Sequence, residues 1–404
     1  MSEPLLVIGN GMAAAKLCEE LTRRALGRHA VAVIGAEPHL AYNRVLLSEV
    51  LAGHMTAAEA EMKPAAWWRA RGVTLQYGTP AAAIDRAARE VILADGRRLP
   101  FGKLVLATGS HPIRLPLPGM DLPGVHTFRD LDDVEALLAA AAVPGTRAVV
   151  IGGGLLGIEA AAGLAGAGVE TRLVHLMDRL MERQLDITAG AFLRRAVEAK
   201  GIEVLLGAAS EAIEGESHVT GLRLKDGRVL PADILVVACG VIPNADLARG
   251  AGLEVKRGIV VDDTLASSDP DIFAIGECAE HRGMTYGLVA PAYEQAGVLA
   301  RRLAGEDARY VGSVVSTNLK VSGVPVFSAG DVTGGAGTED IVLTDRGLGV
   351  YRRLILKDGR LSGAVLFGDT ADGLFYLDLI TSRTPIAAMR TELAFGRDAV
   401  AAAA

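Results

Sequence analysis

The sequence predicts an α/β protein with two doubly wound domains and a small α+β region near its C-terminal end. A short apolar strand, a glycine-rich turn and a helical pattern occur together at residues 5–21, and the same succession returns at 148–161. This repetition predicts the doubly wound part. From Asn318 onwards short strands alternate with glycine turns, which predicts the small region.

Composition sets broad limits on the fold and on the partners. The 404 residues are enough for two or three domains, and 50% hydrophobic with 22% charged residues is ordinary for a globular protein. A formal net charge of −7 argues against a nucleic-acid partner. Lys16, Glu19 and Glu20 interrupt the N-terminal apolar run, so neither a signal peptide nor a membrane partner is expected.

The cysteine pattern points to a reducing compartment. Cys18, Cys239 and Cys278 lie far apart and show no CxxC spacing. This argues against a dithiol centre or a complete cysteine-ligated iron–sulfur site within the chain. We therefore expect a cytoplasmic protein whose cysteines are buried packing residues, and no metal site.

The first glycine turn carries the pattern G-x-G-x-x-A directly after an apolar strand at residues 5–8. Gly9 permits a tight turn, Gly11 lets the backbone approach a pyrophosphate, and Ala14 lets the helix pack against the strand. Asn10 and Ala13 complete the turn. Because a helix N-terminus favours negative charge, this turn predicts a nucleotide site.

The chain between the two turns supplies further candidates. A strand at 30–35 leads to Glu37, 28 positions after Gly9, where a carboxylate can bind ribose hydroxyls. Arg44 follows in a segment suited to phosphate, and a buried strand at 103–107 closes on Thr108-Gly109, which suits close passage against a ligand. Prolines and glycines at 112–124 predict a boundary.

The second turn has all three glycines, Gly152, Gly154 and Gly157, and lies 143 residues beyond Gly9. Two such turns in one chain are far more specific than one. They predict two Rossmann-like dinucleotide-binding domains, each holding one dinucleotide.

The ribose strand of the second turn, at 170–175, ends without a carboxylate. His175 stands 23 residues past Gly152, where an acidic residue would select NADH. Arg172 and Arg179 are close enough in sequence to receive a 2′-phosphate, but Asp178 is adjacent to Arg179. The pattern therefore leaves NADH and NADPH open.

Later segments continue the alternation of strands and turns. An apolar strand beginning at Ile234 ends in Cys239-Gly240, like Thr108-Gly109, and a strand at 272–275 leads into Gly276-Glu277. Pro291 predicts a helix start, since proline is favoured at the first helical position.

With these motifs placed, the chain resembles the two-dinucleotide-binding flavoproteins of the pyridine nucleotide oxidoreductases. More specific segments resemble the FAD/NAD(P)H module of bacterial NAD(P)H nitrite reductases and the electron-transfer flavoprotein subunit of assimilatory nitrate reductases. They are Arg44-x-x-Leu47-Ser48, GECA at 276–279, YGLVAP at 286–291, MERQLD at 181–186, GDT at 368–370 and YLDL at 376–379.

The resemblance implies an FAD-binding domain at residues 1–111 and 245–317, an inserted NAD(P)H-binding domain at 112–244, and an α+β domain at 318–404. The implied FAD site comprises Gly9, Asn10, Gly11, Ala13, Ala14, Glu37, Arg44, Ser48, Ala82, Thr108, Gly109, Arg129, Gly276, Glu277 and Val289. The implied NAD(P)H site comprises Gly152, Gly154, Leu156, Gly157, Glu159, His175 and Gly240. No side chain is assigned as a catalytic acid or base.

Within the FAD site the resemblance implies individual roles. Gly9, Gly11 and Ala13 hold the pyrophosphate, Glu37 the adenosine ribose, and the backbone of Ala82 lies near adenine. The residues implied near flavin or phosphates are Arg44, Thr108, Gly109 and Arg129. Glu277 bonds the ribityl chain, and Val289 lies near the flavin pyrimidine.

The chain departs from its relatives at three points. Glu49 stands where many relatives have a lysine that pairs with the residue at Glu159, which leaves the role of both in question. Glu277 stands where aspartate is commoner. The sequence ends at Ala404 without the cysteine-rich and sirohaem-binding segments of the large nitrite reductases, so we expect that it does not reduce nitrite alone.

The function implied is transfer of electrons from NADH or NADPH through FAD to a separate redox protein, an iron–sulfur or molybdenum component of nitrate or nitrite reductase. Two alternatives stay open: a self-sufficient NAD(P)H oxidase or small-molecule reductase, and a nicotinamide-responsive redox binding protein. A homo-oligomer is also left open.

Overall fold

A computed structural model describes residues 2–321 and 323–403. Met1 and Ala404, the first and last residues of the expected domain ranges, lie outside the described residues, as does Ser322. The chain forms two compact units. Unit one comprises the segment ending at Leu46, Thr56–His111 and Val241–Ser313, and unit two comprises Leu47–Met55, Pro112–Gly240 and the segment from Val314 onwards. Unit two thus includes the second glycine turn and the C-terminal region, and the division into three domains stays a prediction.

The strands, in chain order, are β1 (Glu3–Ile8), β2 (His29–Ile34), β3 (Thr74–Gln76), β4 (Ala81–Asp85), β5 (Glu90–Leu93), β6 (Arg98–Pro100), β7 (Lys103–Leu106), β8 (Ser110–Pro112), β9 (Val125–His126), β10 (Arg147–Ile151), β11 (Glu170–Val174), β12 (Glu203–Leu205), β13 (Ser210–Gly215), β14 (Val219–Leu224), β15 (Val229–Pro231), β16 (Ile234–Val237), β17 (Val241–Pro243), β18 (Ile259–Val261), β19 (Ile272–Ala274), β20 (Ala279–His281), β21 (Met284–Thr285), β22 (Ser316–Val321), β23 (Val324–Gly330), β24 (Thr338–Asp345), β25 (Val350–Lys357) and β26 (Arg360–Phe367).

The α-helices are α1 (Met12–Ala25), α2 (Leu47–Leu51), α3 (Ala65–Ala70), α4 (Leu131–Ala141), α5 (Leu155–Gly166), α6 (Ile187–Glu198), α7 (Asp246–Gly250), α8 (Val289–Leu303), α9 (Gly373–Ser382) and α10 (Arg397–Ala403). None of the helices described is both long and apolar enough to cross a membrane.

Unit one is built around a parallel sheet in the order β19-β7-β1-β2-β3. The last four residues of β1 are all buried, as expected for a strand covered on both faces. Helix α1 buries Ala14, Leu17 and Leu21 at helical spacing and packs against α8. Three-stranded sheets β4-β5-β6 and β18-β20-β21 complete this unit.

Unit two contains a second parallel sheet with the same pattern, β9-β16-β10-β11-β12. Helix α5 follows β10 as α1 follows β1, and it packs against β10 and β11. Asp186 caps α6, because its carboxylate accepts hydrogen bonds from the backbone N–H of Thr188 (2.8 Å) and Ala189 (3.0 Å).

The C-terminal part of unit two is an antiparallel sheet in the order β22-β23-β26-β25-β24. Helix α9 packs on β23 and β26, where Phe327 and Tyr376 are fully buried. The overall α/β class with a C-terminal α+β region is the one that the sequence predicts.

The helix predicted to start at Pro291 begins two residues earlier, at Val289. Pro291 is therefore its third residue, where a missing backbone N–H still costs no intrahelical hydrogen bond. Strands β22 and β24 were not predicted. β24 carries exposed residues on much of its length, so its sequence lacks a clear apolar face.

Candidate dinucleotide-binding sites

The first glycine turn lies at the carboxyl ends of three parallel strands. Gly9 has φ +113°, and a Cβ added there would sit 2.1 Å from the carbonyl oxygen of Ala107. The Gly9 N–H donates to the carbonyl of Ile34 (2.8 Å), and the Ala107 N–H donates to that of Ile8 (2.7 Å). No side chain fits at Gly9, because β2 and the residues following β7 both bond to this turn.

The second turn repeats this construction. Gly152 has φ +123°, and its added Cβ would lie 2.3 Å from the carbonyl oxygen of Ala238. The Gly152 N–H donates to Val174 (2.9 Å), and the Ala238 N–H donates to Ile151 (2.9 Å). A Cβ at Gly157 would fall 1.8 Å from the Gly152 carbonyl oxygen, so only glycine allows α5 to pack this close. The two sequence patterns therefore fold into the same local structure.

The middle glycines behave differently from their neighbours. Gly11 and Gly154 are the N-caps of α1 and α5, and a Cβ at either would meet nothing within 4 Å. Neither cap makes a side-chain hydrogen bond, and neither first turn carries an acidic residue. Each helix therefore presents N–H groups and a positive dipole end to open space, which suits an anion such as a pyrophosphate.

The carboxylate of Glu37 is held by its neighbours in unit one. It accepts a hydrogen bond from the Tyr42 hydroxyl (2.6 Å) and is paired with the Arg44 guanidinium. Arg44 also stacks over the Tyr42 ring. The structure thus brings the predicted ribose residue together with the predicted phosphate residue, and Tyr42 orients both.

The loops after β7 and β19 also meet in unit one. The Ser110 hydroxyl donates to Glu277 (2.8 Å), and Thr108 and Asn244 exchange hydrogen bonds, from Thr108 Oγ1 to the Asn244 carbonyl (2.6 Å) and from Asn244 Nδ2 to the Thr108 carbonyl (2.8 Å). The predicted pairs Thr108-Gly109 and Gly276-Glu277 therefore lie close together. Ser110 and Asn244 were not singled out from the sequence, since polar residues in turns are common.

Gln295 is a third residue that was not predicted from the sequence. Its side chain is 1% exposed, and its Oε1 accepts the backbone N–H of Gly276 (2.7 Å), where φ is +80°. A Cβ at Gly276 would lie 3.1 Å from that of Ala13, so this turn contacts the first glycine motif. A glutamine on the buried face of α8 was the available signal, because buried amides are uncommon without a structural task.

Three further predicted FAD residues belong to other segments of the chain. Ser48 and Arg129 belong to unit two, and Ala82 lies on β4 in the β4-β5-β6 sheet with its side chain exposed. Arg129 precedes α4, and its backbone N–H donates to Asp133 (2.7 Å). Val289 is the first residue of α8. Their binding roles stay predictions.

Glu159 is a buried carboxyl in α5, 8% exposed. Burial raises its pKa to about 8, and the negative charge of Glu49 adds to this shift. Glu49 Oε2 in turn lies 2.9 Å from His54 Nδ1. Glu49 thus places a second carboxylate near Glu159, and burial together with this charge favours the protonated form of Glu159.

His175 packs directly on the second turn. An added Cβ at Gly153 would lie 2.5 Å from the His175 ring, and the Gly153 N–H donates to His175 Nδ1 (2.9 Å). His175 Nε2 therefore carries the proton and donates to Glu182 Oε2 (3.0 Å). Leu156 follows on α5, and Gly240 follows β16 with φ +114°.

All three cysteines are free thiols with raised pKa values. Burial raises the pKa of Cys18 to about 12 and that of Cys239 to about 11, and it also raises the pKa of Cys278. Since the thiolate is the reactive form, none is prepared for exchange. Among residues 2–321 and 323–403, no group of three His, Cys, Asp or Glu side chains could hold a metal ion.

The chain matches two known protein families. Residues 3–296 match the pyridine nucleotide-disulphide oxidoreductase family, and residues 316–384 match the rubredoxin NAD+ reductase C-terminal domain. Among curated proteins it is 43% identical over 383 residues to a nitrite reductase [NAD(P)H] of Bacillus subtilis, covering 95% of this chain and 48% of the relative. It is 40% identical over 392 residues to the assimilatory nitrate reductase electron transfer subunit of Bacillus subtilis, covering 96% of this chain and 50% of the relative.

Two solved structures share the fold over nearly their whole length. A ferredoxin reductase for the CYP199A2 system of Rhodopseudomonas palustris is 30% identical, with a TM-score of 0.90 and 100% of both chains covered. The reductase of a covalent putidaredoxin reductase–putidaredoxin complex is 27% identical, with a TM-score of 0.87 and 99% of both chains covered. The chain spans about half the length of the two curated relatives. By its matched sequence and its duplicated dinucleotide folds, this chain belongs to the pyridine nucleotide-disulphide oxidoreductase family.

Proposed function

We propose that this chain is an FAD-dependent NAD(P)H oxidoreductase that passes electrons to a separate redox protein. The observation that carries the proposal is the duplicated cradle, in which Gly9 and Gly152 form matching turns while Gly11 and Gly154 open onto empty space at two helix N-termini. Two such cradles in one chain suit two dinucleotides, one bound as a cofactor and one as a substrate.

The residues around the first cradle fit FAD. Gly11 and the N-terminus of α1 would hold the pyrophosphate, and the Glu37–Arg44 pair would meet the ribose and a phosphate. Glu277, fixed by Ser110, would bond the ribityl chain, and the N-terminus of α8 would stabilise negative charge on the flavin pyrimidine. When bound, FAD supplies a hydride acceptor that can release electrons one at a time.

The second cradle is proposed to bind the nicotinamide dinucleotide. Gly154 and the N-terminus of α5 would take its pyrophosphate, with Leu156 and Gly157 forming the rest of the turn and His175 beside the ribose. The protein's task is then orientation, since holding two reactants at contact distance makes hydride transfer effectively unimolecular. No side chain needs to act as an acid or base.

A separate protein is the proposed electron acceptor. One structural neighbour that matches over 99% of both chains is a reductase in complex with putidaredoxin, and a curated relative is an electron transfer subunit of nitrate reductase. The raised thiol pKa values support the same view, because they argue against a cysteine relay within this chain. We propose an iron–sulfur or molybdenum component of nitrate or nitrite reduction as the acceptor.

A matched pair of variants tests the two cradles. Gly11→Val and Gly154→Val each place a side chain in open space, so both proteins are expected to fold. Valine at residue 11 would exclude the FAD pyrophosphate, and the purified protein is expected to be colourless. Valine at residue 154 is expected to leave FAD bound at full stoichiometry while NADH and NADPH no longer bleach it.

The absorbance spectrum of each purified protein gives the result, with circular dichroism as the check on folding. A folded Gly11→Val protein that keeps one FAD per chain would contradict the assignment of the first cradle. Normal bleaching of Gly154→Val by NADH would contradict the assignment of the second.

A further inference from the structure

The segment after β11 places a carboxylate beside the second cradle. This carboxylate is not at the position where the sequence pattern predicts an acidic residue. Strand β11 ends at Val174, and His175 fills the next position. The chain then returns to the glycine turn, where the Met181 N–H donates to the Gly153 carbonyl (2.9 Å). Met181 is 1% exposed and has φ +50°, a left-handed conformation that side chains other than glycine rarely adopt. This turn sets the direction of Glu182.

His175 connects the glycine turn to Glu182. The Gly153 N–H occupies Nδ1, so Nε2–H can only donate, and it donates to Glu182 Oε2 (3.0 Å). The ring is 8% exposed and rests against Gly153, which removes its freedom to rotate. One carboxylate oxygen of Glu182 is therefore held by His175, and the Glu182 side chain is 25% exposed.

The arginines that could receive a 2′-phosphate are committed to other partners. Arg179 donates from Nε to the Leu185 carbonyl (3.1 Å), from Nη1 to Asp178 (2.9 Å) and from Nη2 to the Glu182 carbonyl (3.3 Å). Arg172 is paired with Glu170 and Glu203 at 2.7 and 2.8 Å. Both arginines are thus bonded to carboxylates or carbonyls, and Glu182 is the carboxylate that His175 holds beside the turn.

We propose that Glu182 is the residue that selects NADH over NADPH, by accepting a hydrogen bond from the adenosine 2′-hydroxyl and by repelling a 2′-phosphate. His175 acts as its positioning residue. This rests on the proposed function, because it assumes that the second cradle binds the nicotinamide dinucleotide. A carboxylate is suited to both tasks, since it accepts hydrogen bonds only and like charges at short range disfavour binding.

The test uses nucleotide fragments as well as turnover. ADP-ribose and 2′-phospho-ADP-ribose are titrated calorimetrically into the FAD-loaded protein, and kcat/KM is measured for NADH and NADPH with ferricyanide. We expect the wild-type protein to prefer the unphosphorylated forms. Glu182→Gln is expected to lower that preference by about tenfold or more, since it removes the charge but keeps the size. The control is Glu216→Gln, an exposed carboxylate in the turn between β13 and β14, and it should change nothing.

His175→Asn tests the positioning role. It should raise the KM for NADH with little change in kcat, and its effect on the preference should largely disappear in the Glu182→Gln background, because the two residues act together. A wild-type preference below threefold, an unchanged preference in Glu182→Gln, or independent effects in the double variant would overturn the proposal. A protein that binds neither fragment would instead overturn the proposed function of the second cradle.

Discussion

Replacing the buried acid Glu159 should change how the stability of unit two depends on pH. Its folded pKa of about 8 lies well above the ordinary 4.5, through burial first and then the charge of Glu49. Below pH 4.5 the carboxyl is protonated in both the folded and the unfolded chain, so it does not change the free energy of unfolding. Between pH 4.5 and 8 the unfolded chain has released a proton that the folded chain keeps, so stability falls as pH rises.

The shift sets the size of the effect. From 4.5 to about 8 is about 3.5 pKa units, which at roughly 1.36 kcal/mol each amounts to about 5 kcal/mol before any relaxation. Water entering the site lowers this energy, and we expect the free energy of unfolding to be about 2–5 kcal/mol smaller above pH 8. For a unit of this size a change of 1 kcal/mol in the free energy of unfolding corresponds to roughly 2–4 °C, so the melting temperature should change by about 4–20 °C.

The assay is thermal unfolding of the wild-type protein and Glu159→Gln between pH 5 and 9, followed by circular dichroism. Glutamine has nearly the same shape and no titrating proton, so its advantage over the wild type should grow as the pH rises. Glu216→Gln again serves as the control and should follow the wild type. Glu49→Gln should move the transition to lower pH. A constant difference between wild type and Glu159→Gln across this range would refute the reasoning.

Two further predictions concern electron flow. Replacing Cys18 and Cys278 by alanine and Cys239 by serine should leave the rate of FAD reduction by NADH largely intact, because burial keeps all three thiols protonated; loss of rapid reduction in a folded triple variant, followed by stopped-flow absorbance, would reveal a redox thiol. The purified chain with NADH should reduce nitrate, nitrite and oxygen slowly until an iron–sulfur or molybdenum reductase is added; full-rate turnover of any of the three without it would contradict a protein acceptor.

The family name refers to disulphide chemistry. The three free thiols of this chain, with their raised pKa values, argue against a disulphide relay for electrons. Cys239 lies after β16, where its Sγ donates to the Ile151 carbonyl (3.3 Å), and Cys278 donates similarly to Leu106 (3.4 Å). These thiols are small packing residues at the carboxyl ends of the two parallel sheets. Cys278 is buried, as expected, whereas Cys239 is only partly buried. A flavin edge rather than a dithiol is therefore the proposed exit for electrons.

The amino-acid sequence by itself determined the two glycine turns and the elements on either side of them. Gly11 and Gly154 lie at helix starts, whose backbone geometry depends on residues only a few positions apart. At Gly9 and Gly152 the turn is recognisable from the local pattern, but the carbonyl that excludes a side chain belongs to a distant segment. The spacing of these glycines was enough to predict the order β1-α1-β2 and β10-α5-β11, but not where α1 and α5 end. The strand that passes each turn, β7 or β16, was recognisable from its apolar run and its Thr-Gly or Cys-Gly ending.

Only the tertiary structure decided which polar side chains meet at these turns. Ser110 and Glu277 are 167 positions apart, and Gln295 reaches Gly276 from a helix on another part of the chain. Glu182 was visible in the sequence as part of MERQLD, but its orientation depends on the left-handed turn at Met181 and on the tautomer that Gly153 imposes on His175. Hydrogen bonds between distant residues follow from packing, and packing is a property of the whole fold rather than of any short pattern.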